Sequence, residues 1–90
     1  NEYHGVSQIQ VNGSTRYQVK IHVKGNYTVG TYPTQVEAAI AYNKAIDLLK
    51  KAGLQKEYTP NYMEGISPAV YADLYNTVKI SPGIRHYRSE

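Results

Sequence analysis

Residues 29 to 45 read Val29-Gly-Thr-Tyr-Pro-Thr-Gln-Val-Glu-Ala-Ala-Ile-Ala-Tyr-Asn-Lys-Ala45, and this stretch decides the fold. Thr34 and Glu37 have the Thr-x-x-Glu spacing of a capping box, in which each side chain bonds the free backbone N–H of the other residue. The sequence therefore predicts that a strand ends just before Thr34 and that a long helix begins just after it.

That helix would carry small apolar residues along one face. With a step of about 100° per residue, the apolar face comprises Ala38, Ala41, Tyr42, Ala45, Leu49 and Ala52, flanked by Ile46 and Leu48. The opposite face comprises Glu37, Lys44, Asp47 and Lys51. Ile40, exposed on this polar side, is the expected docking point for a helix near the C-terminus. Gly53 is the predicted C-terminal cap. Because the alanines are small, the helix should lie close to the sheet that it covers.

Length and composition narrow the class of protein. Ninety residues make one small domain, and the absence of cysteine excludes disulfides and thiolate metal sites. No apolar run approaches the roughly 20 residues of a membrane span, and no signal peptide is visible. The net charge of +3 permits an anionic partner. Since the chain begins at Asn1, we expect it to be a piece of a longer protein.

Three strands are predicted before the helix. Asn12-Gly13 favours a type I′ hairpin turn, because both residues tolerate positive φ, and a second turn is expected around Gly25. The predicted strands are residues 3–10, 16–24 and 27–32. In the second strand, Tyr17, Val19, Ile21 and Val23 alternate with Arg16, Gln18, Lys20, His22 and Lys24.

The register follows from keeping the two faces consistent. A two-residue Asn12-Gly13 turn pairs Val6 with Val19, Ser7 with Gln18 and Ile9 with Arg16. A three-residue loop, Lys24-Gly25-Asn26, pairs Val23 with Tyr27, Ile21 with Val29 and His22 with Thr28. The predicted fold is thus α+β, a three-stranded antiparallel sheet packed against one long helix.

A short C-terminal helix completes the prediction. Ser67-Pro68 is typical of an N-cap followed by proline at the first helical position. Val70, Tyr71, Leu74, Tyr75 and Val78 follow at helical spacing, and Ser81-Pro82-Gly83 ends the pattern. The tail carries Arg85, His86 and Arg88. We divide the chain into residues 1–62, the sheet and helix, and residues 63–90, a helical extension and basic tail that should pack on the first segment.

No catalytic or metal chemistry is indicated. The seven carboxylates are scattered, and His4, His22 and His86 lack the spacing of a zinc motif. Neither a glycine-rich phosphate loop nor a nucleophile elbow is present. We therefore expect no enzyme, no cofactor and no metal.

The polar face of the second strand leaves two interpretations open. Arg16, Gln18, Lys20, His22 and Lys24 form a row of hydrogen-bond donors without an acidic interruption. Most half-exposed antiparallel sheets have a solvated polar face of this kind. A sheet can also enter the DNA major groove, where arginine, lysine and glutamine reach base edges.

Several segments together resemble one family of DNA-binding domains. They are Tyr3-His-Gly-Val6, the strand Tyr17 to His22, Val29-Gly-Thr-Tyr32 and Glu37-Ala-Ala-Ile-Ala-Tyr-Asn-Lys-Ala45. With Asn61-Tyr62, which is similar to a closing Asn-Phe, they resemble the Apetala-two/ethylene-response-factor DNA-binding domain over residues 3–62. The resemblance implies the same fold, with the sheet rather than the helix in the major groove. The divergence from plant members is similar to that of prokaryotic, phage or mobile-element relatives.

Carried over by position, the resemblance implies DNA contacts from His4, Ser7, Ile9, Lys20, His22, Asn26 and Thr28. Plant members have several arginines and a tryptophan at these positions, so we do not expect the plant GC-rich target here. The first hairpin, Val11-Asn12-Gly13-Ser14, is also longer than the Trp-Gly tip of plant members. His4 has two orientations open: alternation with Val6 turns it inward and the resemblance turns it toward DNA, which a bulge at Gly5 would reconcile.

The expected function is sequence-preferring binding of double-stranded DNA through the polar sheet face, in a transcription regulator or in the DNA-targeting module of a mobile-element enzyme. The alternative is a protein–protein interaction module that uses the same face. The expected location is intracellular, in the cytoplasm or nucleoid of a prokaryote or phage-infected cell, or in a eukaryotic nucleus. No membrane association is expected, and a fused or partner enzyme domain would fit the mobile-element interpretation.

Overall fold

A computed structural model describes residues 3–87 and confirms the α+β architecture. In chain order the elements are β1 (Val6–Val11), β2 (Ser14–His22), β3 (Asn26–Tyr32), α1 (Gln35–Lys51), α2 (Pro68–Thr77) and α3 (Pro82–Arg85). The strands form one antiparallel sheet in the order β1-β2-β3, and α1 packs on all three strands. Arg88 of the predicted tail lies outside the described residues.

The first hairpin has the predicted turn and register. Asn12 and Gly13 have φ values of 52° and 80°, as a type I′ turn requires. The three predicted pairs are confirmed: Val6 with Val19, Ser7 with Gln18, and Ile9 with Arg16. The strand itself begins three residues later than predicted, at Val6, because Gly5 has a φ of 75° and turns the chain just before it.

The predicted register of the second hairpin is wrong. The structure pairs Ile21 with Tyr27 and His22 with Asn26, two residues away from the prediction. The cause is the loop, which is Val23-Lys24-Gly25 and is closed by a 3.0 Å hydrogen bond from the Val23 N–H to the Gly25 carbonyl. Because the shift is an even number of residues, the side chains near this loop keep their predicted faces.

A β-bulge at Val29 changes the alternation in the rest of β3. Val19 pairs with Gly30 while Lys20 pairs with Thr28, so Val29 is an extra residue on its strand. Val29 is completely buried. After the bulge, Tyr32 points into the core and its neighbour Thr31 is exposed, the reverse of strict alternation from Val29.

Helix α1 begins and ends at the predicted caps, with one difference. The Thr34 Oγ1 accepts a hydrogen bond from the Glu37 N–H at 3.1 Å. The Glu37 carboxylate accepts a bond from the Thr34 hydroxyl at 2.9 Å, where a capping box would have it accept from the Thr34 backbone N–H. At the other end Gly53 has a φ of 100°, and the N–H groups of Gly53 and Leu54 satisfy carbonyls of the last turn, each at 3.0 Å.

The predicted apolar face of α1 is buried, but so is part of its predicted polar side. Ala38, Ala41, Ala45 and Leu49 are fully buried, whereas Ala52 is only half-buried. Ile40, expected on the polar side as the docking point for the C-terminal helix, belongs to this buried part. Ile40 is completely buried because α2 and α3 both pack on α1, and it belongs to the same apolar cluster as residues 78, 80 and 84.

The C-terminal extension packs on the sheet and helix, as expected. Ser67 caps α2 by accepting the Val70 N–H at 3.2 Å. The segment Ser81-Pro82-Gly83, predicted only to end a helix, also starts α3. The Ser81 N–H and Oγ donate to the carbonyls of Val29 (2.9 Å) and Thr28 (2.8 Å). This segment therefore covers part of the free edge of β3, which would otherwise be open to strand pairing.

Candidate nucleic-acid interface

The sheet face turned away from α1 gathers polar side chains from all three strands. We call it the outer face. Its members pair with one another across the strands in the observed register. They are Ser7, Ile9, Arg16, Gln18, Lys20, His22, Asn26, Thr28 and Thr31.

The β1 residues that lie opposite the outer-face residues of β2 were predicted correctly. Ser7 lies opposite Gln18, and Ile9 lies opposite Arg16. Ser7 is exposed, while the Ile9 side chain is half-buried beside the half-buried Arg16. The guanidinium of Arg16 donates to the Thr15 carbonyl at 3.0 Å, which leaves its other N–H donors available to a ligand.

The neighbours on β3 include one residue that sequence reasoning missed. Lys20 pairs with Thr28, and His22 pairs with Asn26, so both predicted β3 residues reach the outer face despite the wrong register. Thr31 lies opposite Gln18 and is also exposed on this face. Alternation from the core residue Val29 would have turned Thr31 inward, and only the bulge turns it outward.

The three strands carry positive charge and no acidic residue. Arg16 and Lys20 lie on β2, where Arg16 is half-buried and Lys20 is exposed. The acidic residues within the described range 3–87 all lie outside the three strands, namely Glu37, Asp47, Glu57, Glu64 and Asp73. No side-chain carboxylate of a strand therefore competes with a ligand for these cations.

Lys24 lies beyond the strand on which it was predicted. Strand β2 ends at His22, and Lys24 is the middle residue of the loop Val23-Lys24-Gly25. The early loop removes it from the alternation of β2. Its side chain is exposed next to the end of the outer face, where it can contribute charge but not a fixed strand position.

His4 is exposed and precedes β1. Its backbone is fixed from both sides by the Asn61 carboxamide: the His4 N–H donates to Oδ1 at 2.6 Å, and Nδ2 donates to the His4 carbonyl at 3.1 Å. A turn at Gly5, rather than a bulge within a strand, lets Val6 enter the core while the His4 side chain remains outside. The inward orientation is thereby excluded.

Lys56 and Tyr58 reach the end of β2 from the connection after α1. The Lys56 ammonium lies 3.1 Å from the His22 carbonyl oxygen, and the Tyr58 hydroxyl donates to the same oxygen at 2.6 Å. The ammonium is also 5.5 Å from the centre of the Tyr58 ring. Sequence reasoning missed both residues, because nothing local to residues 54–65 indicates which strand that connection meets.

Four tyrosines have a pKa above the ordinary value of a phenol. Burial raises the pKa of Tyr32 to about 12, and its hydroxyl donates to the Lys79 carbonyl. Burial also raises the pKa of Tyr42 and Tyr58. The pKa of Tyr75 is raised by burial and by its 2.6 Å hydrogen bond to the Asp47 carboxylate. The positive charge of the outer face is therefore not offset by tyrosinate.

We also looked within residues 3–87 for a metal site, a membrane-spanning helix and a basic pocket. That range contains no cluster of three histidine or acidic side chains that could hold a metal ion. Among the described helices, none has the length and apolar character needed to cross a bilayer. A basic concavity of about 620 Å³ lies between α1 and residues 76–85 and includes Lys44, Lys79 and Arg85. Lys44 is already engaged there, since its ammonium donates to the Tyr75 carbonyl at 2.8 Å.

Comparison with protein-family models, with curated proteins and with solved structures finds no match for this chain in any of the three.

Proposed function

We propose that this chain is a double-stranded DNA-binding module that places its outer face in the major groove. The observation that carries the proposal is the cross-strand arrangement: Gln18 is flanked by Ser7 and Thr31, and Lys20 by Thr28, on a face where no strand residue is acidic. Antiparallel strands are a known means of reading base edges in that groove.

The outer face carries the chemistry that both parts of DNA recognition need. Arginine and lysine pair with the O6 and N7 of guanine, glutamine and asparagine pair with adenine, and serine or threonine contacts either. Arg16, Gln18 and Asn26 are therefore the proposed base-reading candidates. The basic residues of this face also supply charge for phosphates, which fix the protein on the duplex.

The same proposal includes the resemblance to the Apetala-two/ethylene-response-factor domain. The order of three antiparallel strands and a capped helix supports it, because that order is what the resemblance implies. Since His4, Ser7 and Ile9 replace larger or more basic residues of plant members, we propose a different target sequence. In this interpretation the chain has no catalytic role of its own, and it regulates transcription or directs an attached enzyme to its site inside the cell.

Duplex binding measured against salt concentration tests this function. With about four cations available, we expect the logarithm of the binding constant to fall with the logarithm of salt concentration at a slope of about −3 to −5. Selection from randomised duplexes should then enrich one sequence. Absence of duplex binding at low salt would contradict the proposal, and salt-insensitive capture of one protein by the same face would favour an interaction module.

A further inference from the structure

Strand β2 extends beyond the start of β1, and its last residue is hydrogen-bonded by the connection that follows α1. Strand β1 begins at Val6, opposite Val19, and next to this pair the Lys20 N–H donates to the Gly5 carbonyl at 2.9 Å. Farther along, Lys56 and Tyr58 both donate to the His22 carbonyl. The Lys56 ammonium is thus fixed to the main chain of an outer-face residue.

We infer that Lys56 is a phosphate-contacting residue of the DNA interface, held at the end of the outer face by the His22 carbonyl and the Tyr58 ring. This inference rests on the proposed DNA-binding function. It adds a residue from outside the sheet to the interface and assigns it the sugar–phosphate backbone rather than a base.

The donor geometry of Lys56 suits that role. An ammonium has three N–H donors, of which the His22 carbonyl takes one. The others can bond phosphate oxygens while the Tyr58 ring stabilises the charge from one side. The Lys56 side chain is exposed, so in the free protein its ammonium stays in contact with water while it bonds the His22 carbonyl. A lysine held in one place loses less conformational freedom on binding than a mobile one.

The assignment to phosphate follows from its position. Lys56 bonds the main chain at the last residue of β2, whereas the side chains of Gln18 and Arg16 occupy the middle and the far part of the same face. Lysine at the margin of a recognition surface meets backbone phosphates, which carry no sequence information. Its loss should therefore weaken binding to all duplexes alike.

The test is duplex binding of Lys56→Gln, Lys56→Arg and the control Lys51→Gln, each over a range of salt concentrations. We expect Lys56→Gln to make the salt slope shallower by about 0.9 and to weaken binding roughly five- to tenfold at 0.1 M salt, equally for selected and random duplexes. Lys56→Arg should retain the slope, and Lys51→Gln, on the exposed end of α1, should not change it. Because Tyr58 still bonds the His22 carbonyl, the melting temperature of Lys56→Gln should stay close to that of the wild type.

The outcomes separate this inference from the function on which it rests. An unchanged slope for Lys56→Gln, or an equal loss for Lys51→Gln, overturns the role of Lys56 while wild-type binding upholds the DNA-binding function. A loss confined to one selected sequence also overturns the inference, because it would indicate base contact. Failure of the wild type to bind any duplex overturns both.

Discussion

The carboxamide of Asn43 on α1 bonds the main chain of Asn61 on both sides. Asn43 Nδ2 donates to the Asn61 carbonyl at 2.8 Å, and Asn43 Oδ1 accepts from the Asn61 N–H at 2.7 Å. Asn43 Nδ2 also donates to the Tyr71 hydroxyl at 3.1 Å. Both asparagines are buried, and buried polar groups in proteins are nearly always hydrogen-bonded. These bonds give both the oxygen and the nitrogen of the Asn43 carboxamide a partner.

Asn61 repeats the arrangement one step farther. Its own carboxamide bonds the N–H and the carbonyl of His4, 57 residues away in the sequence. Two successive pairs of side-chain hydrogen bonds therefore join distant segments. The first pair joins α1 to the segment that contains Asn61, and the second joins that segment to the turn before β1. The position of the exposed His4 side chain beside the sheet depends on this pair of bonds rather than on strand pairing.

We expect Asn61→Ala to destabilise the fold by about 2–3 kcal/mol. The substitution leaves the partly buried backbone N–H and carbonyl of His4 without their partners, and an unsatisfied buried group costs roughly 1–3 kcal/mol. Urea unfolding measures the effect. The exposed Asn76→Ala on α2 is the matched control and should change stability by less than about 0.5 kcal/mol. Equal unfolding midpoints for the two variants would show that the amide pair does not hold the N-terminal turn.

Gly5 offers a second stability test because two costs coincide there. Its φ is 75°, a region that disfavours side chains by about 1–2 kcal/mol. An added Cβ would also lie 2.5 Å from the Tyr42 ring and 2.7 Å from the Lys20 carbonyl oxygen. We expect Gly5→Ala to cost about 3 kcal/mol or more by thermal or urea unfolding, because the backbone oxygen belongs to β2 and cannot move away cheaply.

Gly13→Ala separates the two costs. Gly13 has a similar φ of 80°, but nothing lies within 4 Å of an added Cβ. It should therefore show only the backbone cost of about 1–2 kcal/mol. If Gly5→Ala is no worse than Gly13→Ala, the close approach between the N-terminal turn and α1 does not limit this position.

The parts of the fold that local chemistry determines were predictable from the sequence. Asn12-Gly13 sets both the turn and the register of the first hairpin, because a two-residue type I′ turn admits one pairing. Thr34 and Gly53 set the ends of α1 for the same reason: each satisfies backbone groups within one turn of itself. The register of that hairpin also predicts which residues of β1 and of the facing part of β2 lie on the outer face.

The remaining features depend on contacts between distant segments. The bulge at Val29 places Tyr32 in the core, where its hydroxyl bonds the carbonyl of Lys79, and no local pattern announces that partner. The burial of Ile40 requires α2 and α3 to be in place. Lys56 reaches the main chain at the end of β2 only because the connection after α1 returns to that strand. The bulge explains why Thr31 was missed, and the returning connection explains why Lys56 was missed. The wrong register of the second hairpin comes instead from its loop, Val23-Lys24-Gly25.

Lys20→Ala tests the assignment of the outer face. Lys20 is exposed near the end of β2, opposite Thr28, so its loss should hardly affect stability. We expect duplex binding to weaken by about 1–3 kcal/mol, measured by fluorescence anisotropy at fixed salt. Lys51→Ala, at the end of α1, is the charge-matched control. The same loss from both variants would mean that general charge rather than the outer face binds the DNA.

Alkaline pH should destabilise the fold partly through Tyr32. Its pKa is raised by burial to about 12 in the folded state, from an unfolded value near 10. Below pH 10 the phenol is neutral in both states and its stabilising contribution is complete. As the pH rises from about 10 to 12 the unfolded state ionises first, so the free energy of unfolding falls through this window.

Urea unfolding at several pH values up to about 11 checks this dependence. Tyr32→Phe should be less stable than the wild type at neutral pH, because the bond to the Lys79 carbonyl is lost, but should lose less stability on alkalinisation. A residual loss will persist, since burial also raises the pKa of Tyr42 and Tyr58. Tyr62→Phe, at a position 81% exposed, serves as the control. Parallel pH profiles for Tyr32→Phe and wild type would refute the contribution of Tyr32.

Gln18 is the uncharged residue from which sequence preference should come. It is half-buried between Ser7 and Thr31, so its amide is held in place more firmly than the exposed lysines. An amide at this position can bond adenine N6 and N7 together, which is worth about 1–3 kcal/mol of discrimination. Gln18→Ala should therefore lose that much affinity for the selected duplex and little for random duplexes, and its salt slope should stay unchanged because no phosphate contact is lost. Binding selections with wild type and Gln18→Ala compare the preferred sequences directly. If both select the same sequence with the same enrichment, Gln18 does not read a base, and the preference must come from Arg16, Asn26 or the shape of the duplex.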